Sequence, residues 1–532
     1  MKNTFKIQLI SALLLIAMLL TGCKDSGATT PTTPPHEHVW ADATCTAAKT
    51  CTSCGKTEGE PLAHDWEEAT YYAPQTCKVC GATEGDVLES PIPDHLNLAL
   101  QIDKLPVATA DMTEDELRDV IVKFMYLQLN FAFTPEYSGR AESYSYYIKN
   151  LYSAYNGKSN LENLRIKYDE GKYYGGVPYM GNSAGSLYRW LEFYDPITGA
   201  MDWDPILRTK RGWTDSGISY SDVGSPYFGN TCASSCVWAF MRVTNKIDTF
   251  WTNTWIPANG FVKVGDYDLS ADEDHGSSTK SLCSKNGKKK MFAAYAKIQK
   301  ADGLVQTGHA VMSLSDAVVV YGADGNIDGD ASYILVAEQK ASFLTASPDK
   351  GGVDLYSPMG DKGLTYRITG NYAGNVVNDQ VKEMKWTFND LYSKGFLPFT
   401  LPELAGTDPV DKAEVTLNLS GKPYTAEEIK ASELKNMTVK SNYAISDLHF
   451  TIRDKDGKQV FTAMYAKPAS DTVSLKVYSV SSALTGNALY QNNGIINVNV
   501  SEYAAFGTYT LEITARVSTG EVLTVFNGLL TE

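Results

Sequence analysis

Positive charge is in short supply. Among 532 residues, 47 Lys and Arg face 62 Asp and Glu, a formal net charge of −15. Neutralising a phosphate backbone needs clustered Lys and Arg, so this balance argues against a general nucleic-acid binder. Cysteine is sparse. Nine in this length cannot staple a disulfide-dense scaffold, so their positions matter more than their number. Histidine is scarcer still, at seven. Long apolar runs are almost absent: only residues 7–20 form one, and it is too short to span a bilayer. What is present is ordinary globular stock, 43% hydrophobic and 20% charged, which excludes wholesale disorder. The length allows three or four domains. Tyrosine is plentiful, with 32 copies in the chain, and is densest between Tyr144 and Tyr194. Its apolar body and polar tip suit sheets, interfaces and polymer-binding grooves, although core packing explains most of such a cluster.

The short apolar run follows Lys2 and Lys6 and ends in Leu20-Thr21-Gly22-Cys23. A charged start and a short apolar core make an export signal. The closing tetrad resembles the lipobox of bacterial lipoproteins. That resemblance implies removal of residues 1–22, lipidation of Cys23, and an extracytoplasmic protein held to the cell membrane of a bacterium. An ordinary secretory signal with an incidental cysteine is the plainer alternative. Residues 23–35, rich in Thr and Pro, read as a tether.

Residues 36–90 hold a repeat of period 26. His38-Val39-Trp40 recurs as His64-Asp65-Trp66, and Cys51-Thr52-Ser53-Cys54-Gly55 recurs as Cys77-Lys78-Val79-Cys80-Gly81. A Cys-x2-Cys-Gly turn points two thiolates at one centre, which suits a metal knuckle. Cys45, Cys51 and Cys54 with His64 make a Cys3His set of the kind that structural zinc takes. A zinc-ribbon grouping of Cys51, Cys54, Cys77 and Cys80 competes with it, and so do disulfides, because an exported protein can oxidise its thiols. The second copy is incomplete: Tyr71 stands where Cys45 stood. The module resembles short Cys/His repeats of surface proteins in gut Gram-positive bacteria, which implies a spacer or stabilising knob.

Residues 96–405 read as a mixed α/β domain. Thr113 and Glu116 form a capping-box start for a helix running through Leu117, Val120, Ile121 and Phe124. Residues 309–314, 317–321 and 332–338 read as strands. The informative segment is Gly229-Asn230-Thr231-Cys232-Ala233-Ser234-Ser235-Cys236. Asn230 or Thr231 can cap a helix that opens at Cys232. A cysteine in a first helical turn faces unpaired N–H groups and the positive end of the macrodipole, and both favour the nucleophilic thiolate. Cys236, one turn on, reads as a core filler. A thiolate needs a base, and His309 opens a strand after Gly308. The next strand ends at Glu338-Gln339, and one of these two can orient the imidazole. Glu338 is preferred because a carboxylate also stabilises imidazolium, with Gln339 still open.

This order of Cys, Gly-His and acid or amide resembles the papain-like NlpC-type cell-wall peptidases and the related CHAP amidases. Gly176-Val177-Pro178-Tyr179 looks like their Gly-x-Pro-Tyr segment. The resemblance implies an α+β papain-like (NlpC-like) domain and thiolate acyl transfer on peptidoglycan peptides, with no cofactor for catalysis. Tyr179 would lie at the cleft and Asn230 beside it as substrate-binding residues. The chain departs from those families in reading Thr231-Cys232-Ala233-Ser234, and in a long insertion at about 247–290. A surface adhesion or polymer-binding lipoprotein that keeps the fold without turnover is the rival reading.

Asp324-Gly325-Asn326-Ile327-Asp328-Gly329 starts like a calcium loop, but Leu335 stands where a bidentate Glu is required, so a hairpin turn is expected. Asn286-Gly287 followed by Lys288, Lys289 and Lys290 reads as a turn and a solvated basic loop. After prolines at 398, 402 and 409, residues 411–532 turn to short strands with turns at Asp456-Gly457 and Thr519-Gly520, as in an Ig-like β-sandwich.

Overall fold

A computed structural model describes residues 37–92, 94–135, 173–177, 186–191, 194–201, 230, 232–246, 260–269, 278–338, 385–475 and 503–532. The protein is mixed α/β with several separate sheets. It divides into two compact units, residues 1–88 and 89–532. No described helix is long and apolar enough to cross a membrane. Cys23, Tyr179 and Gln339 lie outside the described residues.

The first unit is built twice. Strands Trp40–Ala41, Lys49–Cys51 and Thr57–Glu58 make one antiparallel sheet, and Trp66–Glu67, Gln75–Cys77 and Thr83–Glu84 make the other. Registers match across the period: Trp40 faces Cys51, and Trp66 faces Cys77. Sheets this short bury almost no core, so side-chain clusters have to hold them.

The second unit centres on a six-stranded sheet ordered Val262–Lys263, Leu397–Thr400, Gly303–Gln306, His309–Ser313, Tyr333–Ala337, Lys385–Thr387, antiparallel throughout. Helix Glu114–Asn130 starts on the expected reciprocal cap: Thr113 accepts from the Glu116 N–H while Glu116 accepts from the Thr113 N–H. Arg118 on this helix is buried and donates to Asp302 Oδ1 at 2.8 Å and to the Lys300 carbonyl at 2.7 Å, fixing the helix to the entry of the sheet. Helix Cys232–Phe240 is buried along its whole length, which explains its near-continuous apolar sequence. Segment 317–321, expected as a strand, makes only isolated bridges through Val318 and Tyr321. The basic run lies inside helix Thr279–Tyr295 instead of a loop, but Gly287, at φ 76°, breaks the helix where the Asn-Gly turn signal fell.

Residues 411–532 contribute seven strands: Val415–Leu419, Lys422–Pro423, Glu428–Lys430, Met437–Arg453, Gln459–Ser474, Thr510–Val517 and Val522–Thr531. They form one connected ladder around the long, bulged Met437–Arg453 strand. Turns fall at Asp456-Gly457 and Thr519-Gly520 as expected. This lobe packs directly on the end of the cysteine helix. Ser518 Oγ donates to the Met241 carbonyl at 2.8 Å, and Tyr443 OH donates to the Val243 carbonyl at 3.3 Å. The Arg516 guanidinium lies 4.4 Å from the Tyr188 ring.

Candidate active site and candidate metal sites

The cysteine helix begins against helix Glu114–Asn130. Gln128 donates to the Ser235 carbonyl at 2.8 Å and accepts from Asn230 Nδ2 at 3.2 Å, while Ser234 Oγ donates to Asn230 Oδ1 at 3.3 Å. Asn230 is fully buried. It was expected to touch substrate. Its amide instead bonds inside the protein, to Gln128 and to Ser234 in the first turns of the cysteine helix. The Gly176-Val177 segment docks on the same helix end, with the Val177 N–H donating to the Gln128 carbonyl at 2.8 Å.

His309 is delivered by a hairpin. Gln306 pairs with His309 across the two-residue turn Thr307-Gly308, and Gly308 has φ 80°, the left-handed region that favours glycine. The turn is clamped from below: the Thr307 N–H donates to Thr279 Oγ1 and the Thr279 N–H donates to Thr307 Oγ1, each at 3.0 Å. That exchange also satisfies a first-turn N–H of helix Thr279–Tyr295. The neighbouring strand pairs Met312 with Ala337, so Glu338 falls on the sheet face that carries His309.

On that face His309 Nε2 donates to Glu338 Oε1 at 2.7 Å, which leaves the other ring nitrogen for sulfur. Cys232 and His309 line the same cleft and each shifts the titration of the other. Burial alone would raise the Cys232 thiol. The hydrogen bond and charge of His309, with the N–H groups of Ala310 and Ala233, outweigh it and hold the thiol below its ordinary value. Burial likewise opposes charge on His309, but Cys232 and Glu338 overcome it and push the imidazole up to about 9. Both shifts favour the thiolate–imidazolium pair over the neutral one. Cys236 is fully buried with its thiol pushed well up, as suits a core filler. Cys283 bonds to Tyr295 OH and the Phe396 carbonyl and is not disulfide-linked.

Cys232, His309 and Glu338 line one cleft with Gln306, Gly308, Trp386, Lys394 and Phe396. Sequence reading missed the last three. Trp386 and Phe396 flank the helix Phe388–Lys394, and Lys394 Nζ lies 4.8 Å over the Trp386 ring. Trp386 is brought here by the pairing of Lys385–Thr387 with Tyr333–Ala337, and Lys394 and Phe396 by that of Leu397–Thr400 with Gly303–Gln306; neither pairing has a local signature. Of the tyrosine-rich cluster, Tyr188, Trp190 and Tyr194 are buried core residues, and Trp190 packs on Phe131 and Phe133.

In the first unit two groups of donors could hold a metal ion such as zinc: Cys45, His64, Cys77 and Cys80, and separately His38, Cys51 and Cys54. This corrects the expected set of Cys45, Cys51, Cys54 and His64, and it also excludes the ribbon grouping. Each Cys-x2-Cys knuckle joins the histidine that opens its own repeat. His64 Nδ1 lies 3.4 Å from Cys80 Sγ, and Cys45 Sγ lies 3.7 Å from Cys77 Sγ. Sequence order suggested that His64 closes the first repeat. The cross-strand pairing of Trp66 with Cys77 turns it towards the second. No described cysteine is in a disulfide.

No family model, no curated protein and no solved structure matches this chain.

Proposed function

We propose that the protein is a cysteine peptidase or amidase of papain-like architecture, with Cys232 as nucleophile, His309 as acid and base, and Glu338 as the group that orients and charges the imidazole. The observation that carries this reading is the cleft that gathers Cys232, His309 and Glu338, with His309 bonded to Glu338 at 2.7 Å and a lowered thiol beside a raised imidazole. Structural ion pairs also perturb titration, but they seldom join a helix-start cysteine to a strand-end histidine at a cleft. The Cys232 thiolate attacks an amide carbonyl and forms a tetrahedral oxyanion, which first-turn N–H groups of the helix stabilise. The imidazolium gives its proton to the departing amine, leaving an acyl-enzyme thioester. Water, deprotonated by the neutral imidazole, then releases the acid and restores the thiol.

The substrate class follows from placement. A lipoprotein anchored through Cys23 outside the membrane meets peptidoglycan stem peptides and cross-links first, so these are the proposed substrate. Cys45, His64, Cys77 and Cys80 hold a structural zinc ion with all four ligands from the protein, and the C-terminal strands form an Ig-like domain. Neither supplies chemistry to the cleft. The deciding experiment is digestion of purified peptidoglycan by wild type and by Cys232→Ala, with mass spectrometry of the fragments. New amine and carboxyl ends from wild type alone are expected; identical fragment patterns sink the proposal.

A further inference from the structure

His309 is bonded at Nε2 to Glu338, and that bond alone does not fix the ring. A hydrogen bond at one ring atom sets a direction but leaves the plane free to tilt about it. Proton transfer to and from sulfur needs the plane as well. A second contact supplies it. The Phe396 ring meets the imidazole edge to face, with centroids 6.2 Å apart and planes at 61°. Trp386 backs the Phe396 ring at 5.3 Å, and Phe396 is completely buried.

Phe396 is in turn pinned through its backbone. Its carbonyl accepts the Tyr295 hydroxyl at 2.8 Å and the Cys283 thiol at 3.6 Å, and its N–H donates to the Leu391 carbonyl at 3.0 Å. Gly395, at φ 83°, closes helix Phe388–Lys394 in the left-handed region just before it. A methyl group at Gly395 would come within 2.6 Å of Lys280 Cα, so this turn sits hard against the start of helix Thr279–Tyr295. The same helix, on either side of its break at Gly287, holds His309 twice. Thr279 clamps the turn that carries the residue, while Cys283 and Tyr295 hold the phenylalanine that abuts its ring.

We propose that Phe396 is a positioning residue for His309: its ring, backed by Trp386 and pinned to helix Thr279–Tyr295, keeps the imidazole in the plane that serves Cys232 and Glu338 together. The proposal rests on the reading of Cys232 and His309 as the reacting pair. Phe396 itself touches no reacting atom and acts through the histidine.

The test follows the rate of Cys232 alkylation by iodoacetamide against pH on the full chain, which needs no substrate. Wild type should show a plateau through neutral pH, because the imidazolium keeps the thiol ionised there. Phe396→Leu keeps apolar volume but has no ring to set against the imidazole. It should lower the neutral rate roughly tenfold and replace the plateau by a single rise at alkaline pH, where a lone thiol ionises. At the alkaline end the two proteins should react alike. Tyr295→Phe removes only the hydroxyl that holds Phe396 and should show the same change in smaller degree; it carries the test should Phe396→Leu fail to fold. A plateau kept in every folded variant overturns the proposal and leaves the hydrolase reading standing, since loss of packing alone lowers the rate without changing its pH dependence. A wild type without the plateau overturns both.

Discussion

His309 Nε2 and Glu338 Oε1 lie 2.7 Å apart, and the carboxylate side chain is only 4% exposed. Its charge is one of the causes that raise the His309 imidazole. Replacing it by the isosteric amide keeps the shape and removes the charge. Glu338→Gln should lower turnover about 10²-fold and move the alkaline limb of the pH profile from about 9 towards the ordinary histidine value. A pH series of kcat/KM checks this, and an unmoved alkaline limb would argue that Glu338 only packs.

The poise of Cys232 and His309 sets a pH window. A thiol held below its ordinary value stays ionised as pH falls, and an imidazole raised to about 9 stays charged until pH climbs past that point. The ion pair is complete between those limits and decays on either side. Iodoacetamide at neutral pH should therefore label Cys232 quickly. Cys236 and Cys283, whose thiols burial pushes upward, should stay silent. Peptide mapping by mass spectrometry decides it: slow labelling of all three at one rate favours a binding protein over an enzyme.

Lys394 is the cleft's cation, stacked on Trp386 beside the nucleophile. Stem peptides carry free carboxylates, which a lysine at the rim would attract. Lys394→Gln should raise KM for acidic substrates several-fold with kcat little changed, and more so at low salt, because an exposed pair is worth only about 1 kcal/mol. Equal KM values for the two proteins across a salt series would remove Lys394 from recognition.

Arg118 and Asp302 form a buried pair that ties helix Glu114–Asn130 to the sheet. Burial raises the Asp302 carboxyl in spite of the arginine, so removing the arginine strands a costly charge. Arg118→Ala should lose about 3–5 kcal/mol in urea unfolding. A loss below about 1 kcal/mol would mean water replaces the guanidinium.

The parts of the site written locally were legible. The helix start at Cys232, the Gly308-His309 strand start and the Thr113 capping box all carry short-range signatures, and each sits where those signatures placed it. Glu338 needed one step more, the strand alternation that puts it on the His309 face. Illegible were the features set by distant pairing. Trp386, Phe396 and Lys394 reach the cleft because two late strands join the sheet, Lys385–Thr387 at its edge and Leu397–Thr400 between earlier strands. Spacing alone gave a plausible but wrong partition of the zinc ligands, because a cross-strand pair, not chain proximity, decides which knuckle His64 faces. The burial of Asn230 was not legible.

The join between the last strands and the cysteine helix bears on how the molecule can be cut. Gly520, at φ 98°, sits so close that a methyl group there would strike the Arg242 guanidinium and the Tyr188 hydroxyl, and Arg242 itself donates to Tyr188 OH and to the Pro106 carbonyl. Trimming the chain at residue 410 would not yield a minimal hydrolase. It would bare a guanidinium and leave the peptide oxygens of Met241 and Val243 without their hydroxyl donors, at the far end of the segment that aims the sulfur. The tail is therefore a wall of the reactive half, and any fragment made for crystallisation or assay should retain it.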